Sequence, residues 1–344
     1  MSILIRVLLL AVFVLAGFSS LAIAASKGES YTATIENDTR RLGGPNSDDG
    51  YTNGFRFSYV YAEDTIPGWA PTLTDWSKTL KKELAQSTTN FGISLNQKIY
   101  TPEDTDQTEP ILDDRPYAAW LYLGFTANYR TETHSHSLEL DLGVVGPPAM
   151  GEQVQNDFHD LIGVPRAQGW DNQLETEPII QLSYFQKVRF VDVLDKTTGR
   201  MFDVIPYTGA SLGNALIAAH AGVIGRLGVN IPNDFGPTRP SASDGDMIKD
   251  PRESNSELPW RAYVYGAARG NLIGHNIFID GSIFHNGPHV TRIPFVAETE
   301  FGYGLQYMNF SFIWRFVTVS PEFEERENFH SFASLTLSYY RDLD

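Results

Sequence analysis

The chain has 344 residues, 42 acidic and 26 basic, a net charge of −16 and no cysteine. That charge excludes nucleic acid as a partner unless cations intervene, and the missing cysteines exclude disulfides, thiol catalysis and Cys-ligated zinc. Beyond the first residues no run of about 18 apolar residues occurs, which excludes a membrane-spanning helix from the mature chain.

In chain order, Arg6 supplies a short basic region, Val7 to Gly17 an apolar one, and Ala22-Ile23-Ala24 a small-x-small cleavage site. Together they predict a cleaved secretory signal peptide over 1–24. Residues 25–344 read as one domain, because no Pro/Ser-rich linker, low-complexity tract or internal repeat divides them. Strands are predicted at 31–37, 51–62, 91–100, 118–131 and 134–146. In 118–131, Leu121, Leu123, Phe125 and Ala127 alternate with Tyr122, Gly124, Thr126 and Asn128, and in 134–146 Leu138, Leu140 and Leu142 alternate with Ser137, Glu139 and Asp141. This is the period of two of a strand with two different faces.

The connection 147–177 is different in kind. Val154, Phe158, Leu161 and Ile162 recur at helical spacing and Gly163 follows, predicting a short amphipathic helix set against the barrel mouth. Strand patterns resume at 178–194, 201–213, 214–228, 259–271, 276–284, 294–307 and 309–319, and a last one runs through Ala333, Leu335, Leu337 and Tyr339. Single-chain bacterial barrels carry an even number of strands, so this set of thirteen has one too many, expected within 276–319. Aromatic residues crowd the strand ends, among them Tyr59, Trp120, Trp260, Tyr303, Trp314, Tyr339 and Tyr340, as interfacial girdles require. The strands also approach the roughly 9–11 residues that cross a bilayer.

The resulting expectation is an all-β protein of the bacterial outer membrane. It is a monomeric transmembrane antiparallel β-barrel of about twelve strands in contact with membrane lipids, with a short loop helix at the extracellular rim. The alternative is an aromatic-rich soluble β-core.

Three polar clusters stand out: Glu36-Asn37-Asp38, Asp48-Asp49-Gly50-Tyr51-Thr52-Asn53-Gly54, and His159. With a periplasmic N-terminus, strand directions put all three at the extracellular rim. Carboxylate, amide and hydroxyl oxygens are calcium donors, and His159 is a candidate general base near neutral pH. The plainer reading is turn chemistry for Asn-Asp and Asp-Asp-Gly and a solvated loop histidine. Gly209-Ala210-Ser211-Leu212-Gly213 matches G-x-S-x-G, but strand-like sequence flanks it where a nucleophile elbow needs a helix. His134 and His136 suggest a metal pair, and read better as solvated turn residues.

The stretches E-N-D (36–38), D-G-Y-T-N-G (49–54), I-Y-T-P (99–102), D-R-P-Y-A-A-W-L (114–121), G-V-V-G-P (143–147), Q-V-Q-N-x-x-H-x-L-I-G (153–163) and G-W-D-N-Q (169–173) arrive in one order. In that order they resemble the lipid A 3-O-deacylase (LpxR-type) family over roughly residues 30–175. The resemblance implies a twelve-stranded outer-membrane barrel with its site between wall and loop helix. It implies catalytic positions at His159, Asn37 and Thr52, and Ca2+ held by Asp38, Asn37 and Thr52. The implied substrate is lipid A of lipopolysaccharide in the outer leaflet, cleaved by histidine-activated water while calcium polarises the ester carbonyl. Rival readings are an outer-membrane phospholipase with looser substrate choice, and a non-catalytic barrel or pore.

Two positions depart from the family pattern. The lysine of the loop after Tyr100 is absent, with Thr105-Asp106 in that region, and Pro165 stands where an acidic residue follows the histidine by six. Asp113, Asp114, Glu175 and Glu177 are candidate substitutes.

Overall fold

The computed structural model describes residues 28–38, 50–65, 67, 87–239 and 258–341; the segment 1–24 and the Asp48-Asp49 pair lie outside them. The strands are β1 (Glu29–Asn37), β2 (Gly50–Val60), β3 (Thr88–Thr101), β4 (Ala118–Arg130), β5 (His134–Val145), β6 (Glu177–Val188), β7 (Val191–Asp195), β8 (Gly199–Gly213), β9 (Leu216–Val229), β10 (Trp260–Asn276), β11 (Phe295–Tyr307), β12 (Phe310–Val319) and β13 (His330–Arg341). Two helices sit in connections, α1 (Gly151–Ile162) and α2 (Ile277–Asp280). Neighbouring strands pair antiparallel, β1 closes on β13, and β6 pairs with β8 over Gln181–Lys187 and Tyr207–Gly213. The short β7 pairs with β8 alone, so twelve of the thirteen strands make a closed wall.

The surplus predicted strand is 276–284. Asn276 ends β10 by accepting the Phe278 N–H at 3.1 Å, which starts α2 and takes the chain out of the wall. The predicted 178–194 is two pieces, because Phe190 leaves the register of β6 to donate to Val204 of β8 at 2.9 Å.

Alternation assigns each side chain to one of two surroundings. Ile35, Leu123, Leu142 and Leu337 are exposed on the outer face, while their neighbours Glu36, Tyr122, Asp141 and Thr336 are buried inside. Such a pattern is stable only where the outside is hydrocarbon. Near the chain termini, Phe310, Tyr339, Tyr31 and Tyr59 lie opposite one another on four successive strands. Their rings approach to 5.1 Å (Phe310–Tyr339) and 5.2 Å (Tyr31–Tyr59), forming one arc of a girdle. Trp120 and Tyr340 do not join it. Both occupy inward positions and are buried, because each shares the parity of the lumen-facing residues of its strand.

The lumen is filled. Arg56 of β2 spans it to Glu139 of β5 at 2.8 Å, and Arg226 pairs with Asp203 at 2.5 Å. The long connection after β9 starts at the end that carries the chain termini, where turns are usually short. Its residues 230–239 fold back inside: Phe235 packs with Ile205, Ile224 and Tyr263, and Arg239 pairs with Glu298 and Glu300. From the opposite end α2 reaches in, Phe278 stacking on Tyr100 at 4.1 Å. Between the two plugs remains a chamber of about 110 Å³, room for a handful of waters at roughly 10–15 Å³ each.

A plugged lumen predicts that the purified protein in a planar bilayer shows no steady ion conductance. Removing both plugs, by deleting residues 231–239 together with 277–290, is expected to open stepwise conductance. Porin-like conductance in the unaltered protein would contradict the filled lumen.

Candidate active site

Toward the rim opposite the chain termini, the outer face of β3 and β4 stops looking lipid-facing. Gln97, Ile99 and Thr101 share that face with the exposed Leu95, and Ala119 shares it with Leu123, yet all four are buried. Gln97, Ile99 and Ala119 are covered by the segment after β5. Ala149, Val154, Ala167 and Trp170 pack with Ile99, Tyr117 and Ala119, and Gln97 donates its side-chain N–H to the Ala149 carbonyl at 2.6 Å. At Gly151 a Cβ would sit 2.5 Å from Ala119 Cβ and from the Trp170 ring, so glycine permits the close approach. The helix therefore lies on the outside of the wall, and the expected seat against the mouth is corrected.

The expected helix is present, ended by Gly163 at φ 75° with the Val164 N–H capping the His159 carbonyl at 3.0 Å. Its buried face matches the predicted one only in part: Val154 packs on the wall and Phe158 is half-buried, but the rest is exchanged. Leu161 and Ile162 are 65% and 52% exposed, while Gln155, Asn156 and His159 are buried. Amphipathic reasoning assumes water outside and oil inside; on the flank of a membrane barrel, apolar residues lose nothing by facing outward.

His159 Nδ1 lies 2.5 Å from the Pro165 carbonyl oxygen. A carbonyl only accepts, so Nδ1 carries a proton in this contact. The position that lacks the expected acidic side chain thus orients the histidine with its backbone. The return segment is tied down further on: the Ala167 N–H donates to Asn156 Oδ1 at 2.9 Å, Trp170 Nε1 to Gln155 Oε1 at 2.8 Å, and the Gln168 N–H to the Thr105 carbonyl at 2.8 Å. Thr105, in the region without the lysine, serves as a backbone support. At the surface Arg166 hydrogen-bonds Asp160 and holds its carboxyl below the ordinary aspartate value.

The other predicted residues meet at the ends of β1 to β3. The Asn37 amide and the Asp38 N–H both donate to the Thr52 carbonyl, each at 3.3 Å. Thr52 is the bulge residue of β2, where pairing with β3 skips from Tyr51 to Asn53. Its hydroxyl lies 2.6 Å from that of Thr101. Thr101 is one outward position beyond Ile99, which lies under the α1 segment. The structure thus brings Asn37, Asp38 and Thr52 into direct contact and links them through β3 to the wall on which the His159 helix sits.

Two of the proposed substitutes, Asp114 and Glu177, have partners elsewhere. Asp114 accepts the N–H groups of Glu103 and Arg115 at 2.7 and 2.6 Å, and Glu177 accepts from Asn214 at 2.7 Å and from Ser282. Ser211 lies in mid-strand, 3.0 Å from Ser183 and 3.1 Å from His220. His134 and His136 turn to Thr133 and Tyr184 respectively. Sequence reasoning missed Thr101, Gln97 and Asn156. For Asn156 a signal existed, since it precedes His159 by three and shares its helix face.

The family model described as "Outer membrane protein LpxR" matches residues 7–341. The chain belongs to the LpxR family. It is accordingly a protein of the bacterial outer membrane. Among solved structures, LpxR from Salmonella typhimurium is 20% identical, with a TM-score of 0.70 over 90% of this chain and 99% of that one; that likeness bears on the fold. The β domain of the Bordetella autotransporter BrkA is 9% identical, with a TM-score of 0.44 over 92% of this chain and 100% of its own. No curated protein sequence matches this LpxR-family chain.

Replacing Gly151 with valine forces Ala119 and Trp170 apart from the helix. Overpacking of about 1–3 kcal/mol is expected to raise the fraction of open α1 loop roughly 5- to 150-fold. Limited proteolysis should cut 147–176 faster, while the heat-modifiable gel shift of the barrel stays unchanged. Equal cleavage rates in both proteins would show that the helix does not depend on this contact.

Proposed function

We propose that this LpxR-family protein is an outer-membrane esterase that removes 3'-O-linked acyl chains from lipid A of lipopolysaccharide in the outer leaflet. The observation that carries the reading is His159. It is buried on the wall-facing side of α1, with Nδ1 against the Pro165 carbonyl, and in this reading Nε2 is the ring nitrogen that acts as the base. The filled lumen supports an enzyme over a pore.

In this mechanism His159 Nε2 takes a proton from water as the water oxygen attacks the ester carbonyl carbon. The bond from that carbon to the sugar oxygen then breaks, and the same proton passes to the leaving oxygen, releasing a fatty acid and a free hydroxyl. Because the histidine-activated water attacks directly, no covalent acyl-enzyme is needed. The carboxylate of Asp38, the side-chain oxygen of Asn37 and the hydroxyl of Thr52 are the oxygen donors that suit calcium, and these residues would hold it. A bound calcium ion would polarise the carbonyl and stabilise the tetrahedral oxyanion. The Thr52–Thr101 contact and the shared Thr52 carbonyl keep the three residues together.

Purified protein in detergent is expected to release acyl chains from lipid A with calcium present and to stop in EGTA, as read by mass spectrometry. Equal release in both conditions would sink the metal role, and no release in either would favour a non-catalytic barrel. Faster cleavage of glycerophospholipid than of lipid A would favour the phospholipase reading. The substitution His159→Ala is expected to lower the rate by ~10²–10⁴-fold with the heat-modifiable shift intact. Retention of more than about a tenth of the rate, above what loss of a general base allows, would remove His159 from that role.

A further inference from the structure

We infer that Asn156 is a positioning residue for His159, setting its tautomer by clamping the backbone that carries the Pro165 carbonyl. The inference rests on the reading of His159 as the base, and it names the side chain on which that reading depends.

An acidic side chain that orients a histidine is aimed by its own rotamer. A backbone carbonyl has no such freedom and points wherever the chain holds it. Between His159 and Ala167 the chain reverses through Gly163 and returns along the helix, with Pro165 midway. Its near tie is the Val164 N–H on the His159 carbonyl at 3.0 Å, which fixes the turn but not the direction of the following carbonyl. The Arg166–Asp160 pair is exposed and reaches the helix only through a long side chain. The far tie is Asn156. Its Oδ1 accepts the Ala167 N–H at 2.9 Å and its Nδ2 donates to the Ala167 carbonyl at 3.4 Å, a two-point clamp on one residue. Asn156, Ala167 and His159 are 8%, 5% and 3% exposed, so water does not compete for these bonds. Asn156 and His159 are three apart on the same helix face, which puts clamp and base on one rigid element. Pro165 contributes by restricting its own φ and the conformation of Val164, but the register of its carbonyl is decided at Ala167.

The test uses the full-length protein in detergent, labelled with 15N-histidine. Two-bond 1H–15N correlation spectra report which ring nitrogen carries the proton, and the His159 signals are identified by their loss in His159→Ala. The wild type is expected to show the Nδ1-protonated tautomer. In Asn156→Ala the His159 pattern should become a mixture of tautomers, with kcat on lipid A reduced by up to about 10²-fold, the scale of a misplaced catalytic group, and KM little changed. Asn156→Asp keeps the acceptor for the Ala167 N–H and should restore both the tautomer and most of kcat. A wild-type tautomer in Asn156→Ala overturns the proposal, whether kcat falls or not. The spectra do not depend on turnover, so an active His159→Ala would refute the base role separately from the clamp.

Discussion

Pairing between Gln181–Lys187 of β6 and Tyr207–Gly213 of β8 removes the last free edge of the sheet. In hydrocarbon an unpaired strand edge costs several kcal/mol for each open backbone group, so without this seam the other pairings could not persist in a membrane. Closure also fixes an inside and an outside, and the period of two then leaves every wall residue a choice between lipid and lumen. Most charged side chains of the wall take the lumen, where they have to be paired: Arg56 with Glu139, Arg226 with Asp203, Arg239 with Glu298 and Glu300. Buried charges left alone would each be strongly destabilising.

Because the lumen is occupied by these pairs and by chain entering from both ends, it does not offer a passage. The candidate site lies instead on the outer flank, where the α1 segment covers Ile99 and Ala119. There a helix can present polar residues to the wall and apolar ones to the surroundings, an inversion of the globular arrangement that follows from the change of solvent. Gly151 allows the contact, and the αL turn at Gly163 brings Pro165 back over His159.

Much of this was legible in the sequence. A predicted segment falls on each of the twelve wall strands, with β10 stopped five residues short at 271, and α1 follows from its spacing and its terminal glycine. The failures have physical causes. Residues 276–284 alternate well enough for a strand, but Asn276 caps a helix and the segment is drawn inward by Phe278 stacking on Tyr100. Trp120 and Tyr340 were placed at the membrane interface on their chemistry alone, whereas parity sends them inside. The buried face of α1 was misjudged because hydrophobicity was weighed against water.

The sequence by itself determined the two-faced strands, their export signature, the absence of thiol chemistry and the family motifs at Asn37, Asp38, Thr52 and His159, all of which are local patterns of residue type. Only the tertiary structure decided which surface those motifs occupy, how the gap left by the acidic residue is filled by the Pro165 carbonyl, and which side chain holds that carbonyl in place. A main-chain oxygen is present at every position and leaves no mark in a sequence; its direction exists only once Asn156 and Ala167, eleven residues apart, have been folded against each other.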